Sequence, residues 1–110
     1  MGTFRYLCSK KSKLRIVAKK TLREFWEKHP DCEQQLITWY RETIKCEWQT
    51  PHDIKKEYPT ASIIAANRVV FNIRGNNYRL IVKINYDYQI VWVRFIGVHA
   101  EYDKINAATI

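Results

Sequence analysis

Glycine is scarce in this chain of 110 residues: there are three, and none is clustered with another. Without a glycine-rich turn there is no loop to cradle a nucleotide's phosphates, so phosphate-loop chemistry is excluded. Cysteine is equally sparse. Cys8, Cys32 and Cys46 are odd in number and widely spaced, which argues against a disulfide framework and fits a reducing compartment. The histidines, His29, His52 and His99, are far apart, and no HExxH or CxxC pattern occurs. His99 and Asp103 lie one helical turn apart, but two ligands are too few for a tight metal site. No metal or other cofactor is expected. No apolar run approaches the ~20 residues of a membrane span. The opening MGTFRYLCSKKSK has no signal-peptide apolar block, and Tyr6 stands where myristoylation needs Ser or Thr. The expectation is a cytoplasmic protein with no membrane partner.

Acidic residues are also in short supply, 11 against 19 Lys plus Arg, which leaves a net charge of +8. Such a balance favours a polyanionic partner. What the chain does have is apolar and aromatic mass, 46% and 14% of its residues, enough to bury a core in one domain. Residues 1–13 are basic and unpatterned and read as a flexible extension; residues 14–110 read as a single domain.

Along the domain, the β-branched run LRIVA (14–18) reads as a first strand. Thr21 and Glu24 have the spacing of a capping box, and Leu22, Phe25 and Trp26 follow on one helical face. Pro30 disfavours helical geometry at His29 and ends that helix. Asp31 and Gln34 restart a second one, whose apolar face runs through Leu36, Trp39, Tyr40 and Thr43. Thr50-Pro51 starts a third helix, with proline at a first-turn position where no hydrogen bond is lost. Residues 60–67 (TASIIAAN) read as a connector. From Arg68 the period becomes two, giving three strands: one up to Arg74, a turn at Gly75-Asn76-Asn77, Tyr78 to Asn85, another turn, and Ile90 to Gly97. In the last strand, alternation puts Val91, Val93 and Phe95 on one face and Ile90, Trp92, Arg94 and Ile96 on the other. The fold class expected is α+β, a small mainly antiparallel sheet with two to three helices packed on one face.

Arg79 and Arg94 sit inside strands where an apolar residue is the default, and Lys83 shares their face. Beyond the last strand comes a polar cluster of His99, Glu101, Tyr102 and Asp103. Metal-free RNA cleavage needs such parts. The 2′-hydroxyl needs a base, the phosphorane needs permanent cations, and the leaving 5′-oxygen needs an acid. A histidine near its unperturbed pKa of about 6.5 serves either proton role, and a tyrosine orients, donates a proton or stacks on a base. Trp92, on the face of Arg94, is a candidate stacking surface. The same residues also have structural readings: a capping histidine, a strand arginine paired with Glu101 or Asp103, a tyrosine anchoring the chain end. Residue by residue, a basic nucleic-acid-binding domain and a nuclease both remain open.

Four blocks in order resolve this further. LRIVAKKTLREFWEKHPDCEQQL, DIKKEYPTA, VVFNIRGNNYRLI and WVRFIGVHAEYD together resemble the HigB toxins of the RelE-like superfamily, over roughly Leu14 to Lys104. The resemblance implies a RelE-like α+β fold and a metal-independent mRNA interferase of a type II toxin–antitoxin system, an endoribonuclease cutting at the ribosomal A site. It implies a HigA-like helix-turn-helix antitoxin as partner, with operator DNA bound only through the antitoxin complex. The matching positions are Asn72, Asn76, Arg79, Arg94, His99, Glu101, Tyr102 and Asp103. It implies His99, Tyr102, Arg79 and Arg94 as catalytic, Glu101 and Asp103 as orienting, and Asn72 and Asn76 as RNA contacts. Lys83 and Trp92, from their strand face, and Arg74, a cation at the hairpin, are expected to join them as RNA contacts. Two positions depart from the family's habit: Arg74 where glycine is common and Val98 where threonine is common. The second removes a hydroxyl beside His99, so a catalytically weak homologue serving as an antitoxin- or nucleic-acid-binding module is the alternative reading.

Overall fold

The computed structural model of the chain describes residues 14–64, 67–74 and 77–110. Among them the elements run β1 (Arg15–Val17), α1 (Lys19–Lys28), a 3-10 turn (Pro30–Cys32), α2 (Glu33–Thr43), α3 (Pro51–Glu57), β2 (Ser62–Ile64), β3 (Arg68–Ile73), β4 (Tyr78–Asn85), β5 (Ile90–Val98) and the one-turn α4 (His99–Tyr102). The expected extension at residues 1–13 and the expected RNA contact Asn76 lie outside the described residues.

The architecture is the expected α+β. One sheet has the order β1-β5-β4-β3-β2, with every neighbouring pair antiparallel except β1 and β5. The parallel pair is allowed because its connection spans most of the domain, whereas the antiparallel strands β3, β4 and β5 need only tight turns. The helices follow their punctuation. Proline at residue 30 stops α1 at Lys28 and opens the 3-10 turn. Proline at residue 51 takes the first position of α3, where the Asp53 carboxylate accepts the Gln49 and Thr50 backbone N–H groups at 3.0 and 3.3 Å. Two local expectations fail. α1 starts at Lys19 with Ala18 as its N-cap, so the Thr21–Glu24 pair lies inside the helix rather than capping it. The connector 60–67 contains β2, whose three residues are too few to display an alternation.

One side of the sheet holds the core. Leu22, Leu36, Trp39 and Ile54 from the helices pack on Val69, Phe71, Leu80, Val82, Ile84 and Val91 from the strands. Each such side chain contributes roughly 1.5–3 kcal/mol of transfer free energy, an upper bound set by a fully extended unfolded chain. Gln89, buried in the β4–β5 turn with φ 56°, ties the α2–α3 linker to the sheet. Its Nε2 donates to the Trp48 and Tyr86 carbonyls, both at 2.7 Å, and its Oε1 accepts the Trp48 N–H at 3.1 Å.

The other side departs from the alternation in one place. Ile81 faces Phe95 and Val82 faces Val93, so Arg94 is an extra residue in β5. A bulge of this kind exchanges the faces of everything after it. Phe95 therefore joins Ile81 on the side away from the helices, while Ile96 and Val98 pack against the core. This reverses the sequence expectation for Phe95 and Ile96. Nor is the second face bare. Val70 and Ile81 are buried there (3% and 0% exposed) outside the main core. The chain end sits beside them: the main-chain oxygen of Ile110 accepts Arg68 Nε and Nη2 at 3.0 and 2.8 Å and Arg94 Nε at 3.3 Å.

Candidate active site

The cluster at the end of β5 begins with a close approach. A Cβ on Gly97 would lie 2.6 Å from both Glu101 Oε1 and the Phe95 ring. Lacking one, the strand lets Glu101 fold back, and its Oε1 accepts the Val98 N–H at 3.3 Å. That bond caps the N-terminus of α4, a turn too short to persist by propensity alone. The turn brings positions four apart together. His99 Nδ1 lies 3.2 Å from Asp103 Oδ2, with the two side chains half exposed (50% and 60%). With Nδ1 engaged, Nε2 is the ring nitrogen available for proton exchange. The Tyr102 ring centre is 6.4 Å from that of His99.

Register supplies the cation. Arg79 of β4 stands opposite Gly97 on one side and Asn72 on the other. Facing a glycine, its guanidinium rises over the Tyr102 ring at 5.5 Å from the centroid. An imidazole oriented by a carboxylate, a phenol and a guanidinium thus converge from one strand and one helical turn. Val98 turns its side chain to the core, so the orientation of His99 comes from Asp103, and a hydroxyl at position 98 is not what holds the ring.

The remaining expected residues are spread more widely. Asn72 donates from Nδ2 to the Thr60 carbonyl at 3.3 Å. Arg74, at φ 54°, has its Nε 3.5 Å from Asp31, whose carboxylate also accepts the Tyr78 hydroxyl at 2.8 and 2.9 Å. Arg74 is thus engaged with the helical layer rather than with α4. That hydrogen bond, chiefly, raises the Tyr78 phenol above its ordinary pKa. Arg94 is held at the bulge by the Ile110 oxygen. Lys83 and Trp92 form a cross-strand pair four residues along β4 from Arg79, a separation of about 13 Å. Arg68 was missed in the sequence as a strand-end residue. Its bidentate hold on Ile110 is a long-range contact that no local pattern announces.

Comparison with known proteins identifies relatives of the whole domain. Residues 32–105 match the family described as HigB_toxin, RelE-like toxic component of a toxin-antitoxin system. A protein named mRNA interferase HigB from Escherichia coli O6:H1 (strain CFT073) is 29% identical over 95 residues, which cover 84% of this chain and 92% of the relative. The mRNA interferase toxin HigB of Escherichia coli K12 is 24% identical over 96 residues, 86% of this chain and 92% of its own. The mRNA interferase HigB of Shigella flexneri matches to the same extent. The family match spans well over half of the chain and takes in β2 to β5 and α4, the elements that build the cluster; the chain belongs to the HigB toxin family, RelE-like toxic components of toxin–antitoxin systems.

Proposed function

We propose that this protein is the toxin of a type II toxin–antitoxin pair and acts as an mRNA interferase, a metal-independent endoribonuclease that cuts mRNA at the ribosomal A site. The observation that carries the reading is the meeting of His99, Tyr102 and Arg79 through the α4 turn and the β4–β5 register. His99 and Tyr102 are the proton-transfer or orienting groups. As one group takes the 2′-hydroxyl proton, the 2′-oxygen bonds to phosphorus. The bond from phosphorus to the 5′-oxygen breaks, and that oxygen leaves with a proton. The products are a 2′,3′-cyclic phosphate and a 5′-hydroxyl. Arg79 neutralises the phosphorane oxygens as charge gathers there, and Asp103 and Glu101 hold the turn that aims His99. Arg94 reaches a phosphate when the Ile110 oxygen yields its place, and Asn72, Asn76, Arg74, Lys83 and Trp92 are supporting RNA contacts.

A HigA-like helix-turn-helix antitoxin is the partner, and the complex represses its own operon with the antitoxin reading the operator DNA. The protein works in the cytoplasm, where its substrate is. Induction in cells tests the reading. Growth stops with the parent chain, resumes when the antitoxin is co-expressed, and continues under His99→Ala produced in folded form. A folded His99→Ala variant that still stops growth removes His99 from the site. A parent chain that binds an antitoxin yet leaves growth and mRNA untouched is instead a catalytically weak binding module.

A further inference from the structure

A second constellation lies on the same face, at the end of the sheet away from α4. Lys83, Trp92, Asn85, Asn67 and Asp87 line a groove of about 280 Å³, and no residue of the chain end 103–110 lines it. Trp92 is partly exposed on a strand flanked by β1 and β4, where Val17 and Lys83 are its register partners. Lys83 is exposed, and no carboxylate among the described residues pairs with its ammonium. The Asn85 carboxamide accepts the Tyr88 N–H through Oδ1 at 3.0 Å, which leaves its Nδ2 to donate elsewhere. Asn67 and Asp87 are exposed at the rim.

Each group has a use that the sheet itself does not explain. An indole face flanked by an ammonium suits a base and its phosphate, since stacking is sequence-tolerant and the cation meets the backbone. Carboxamides with free donors and a carboxylate acceptor suit the hydrogen-bonding edge of that base. An extended single strand covers the ~13 Å back to Arg79 in a few nucleotides.

We infer that this groove is a base-binding subsite for single-stranded RNA, stacking one base on Trp92 a few nucleotides from the cleaved bond and holding its phosphate on Lys83. The inference rests on the RNA-cutting reading of the α4 cluster and adds a determinant of sequence preference to it.

The test uses the full chain carrying His99→Ala as parent, with fluorescently labelled oligoribonucleotides of about three and about eight nucleotides, read by anisotropy. Adding Trp92→Ala weakens the longer RNA about tenfold and the shorter one far less, while Trp92→Phe stays within about threefold of the parent. Adding Lys83→Ala flattens the salt dependence of the longer RNA by about 0.7 in log–log slope, the value for one single-strand phosphate contact. Circular dichroism of each variant separates lost binding from lost folding, and Trp92→Phe keeps the test decisive if Trp92→Ala does not fold. Equal affinity of the parent and a folded Trp92 variant for the longer RNA overturns the subsite. So does a parent that binds neither RNA. Neither outcome touches the cutting reading, which is judged separately from RNA cleavage by the chain with His99 intact.

Discussion

At the residue scale, the arginines of the sheet are unequal. Arg79 stands over Tyr102, while Arg94 donates to the main-chain oxygen of Ile110 and shares that oxygen with Arg68. Replacing Arg79 by alanine is expected to lower RNA cleavage by about 10²–10³-fold, the cost of removing one preorganised donor to a developing oxyanion. Arg94→Ala is expected to cost about tenfold, because Arg94 sits at the bulge against the Ile110 oxygen rather than over the Tyr102 ring of the α4 turn. Initial rates on one message, with melting curves for both variants, check the ordering. A second residue-scale consequence concerns alkali. Burial first, then the Asp31 carboxylate beside it, push the Cys32 thiol up from 9.0 to about 11. A folded pKa above the unfolded one means stability is intact below about pH 9 and lost as pH rises through 11. The neutral Tyr78 phenol bonded to Asp31 acts in the same direction above about pH 10. Denaturant midpoints at about pH 8 and about pH 10.5 are expected to fall for the wild type and to fall less for Cys32→Ala.

At the element scale, α4 depends on a neighbour with no side chain. Gly97→Ala puts a methyl where Glu101 and the Phe95 ring now lie. Glu101 is a flexible tip and moves away, which releases the Val98 N–H and uncaps the turn. The expected cost is about 1–2 kcal/mol of stability by urea unfolding, together with a larger loss of cleavage than that cost explains, because His99 and Asp103 lose their common turn. Much of this element structure was legible in the sequence. Proline at 30 and 51 punctuated the helices, and the period of two from Arg68 onward exposed three strands and put Arg79 on one face with Lys83, while its nearness to α4 came only with the pairing of Arg79 and Gly97. What stayed hidden has physical reasons. β2 is three residues long and carries no period. The bulge at Arg94 was invisible because VWVRFI is apolar at every position but Arg94, so its letters do not fix which face each residue takes, and only pairing with β4 reveals the extra residue. The contact of Ile110 with Arg68 joins residues 42 apart. The meeting of His99 with Asp103 was readable from their spacing alone. The placement of Arg74 against Asp31 was not, since it depends on how the helical layer docks on the hairpin.

At the scale of the whole molecule, two faces divide the work. The helices cover one side of the sheet and bury the large core, while Arg79, Lys83, Arg94 and Arg68 populate the other. The chain end is held on that face by Arg68 and Arg94 and does not line the Trp92 groove. Membership of a toxin–antitoxin family implies an antitoxin as partner. The measurement that bears most directly on the proposed RNA cutting is a map of mRNA 5′ ends in cells after induction, with translation running and with initiation blocked. An interferase built on α4 and Arg79 yields new 5′-hydroxyl ends inside translated reading frames, absent when ribosomes are withdrawn and absent with His99→Ala or Arg79→Ala in folded form. Intact messages under the parent chain, or an unchanged map in both folded variants, would contradict it.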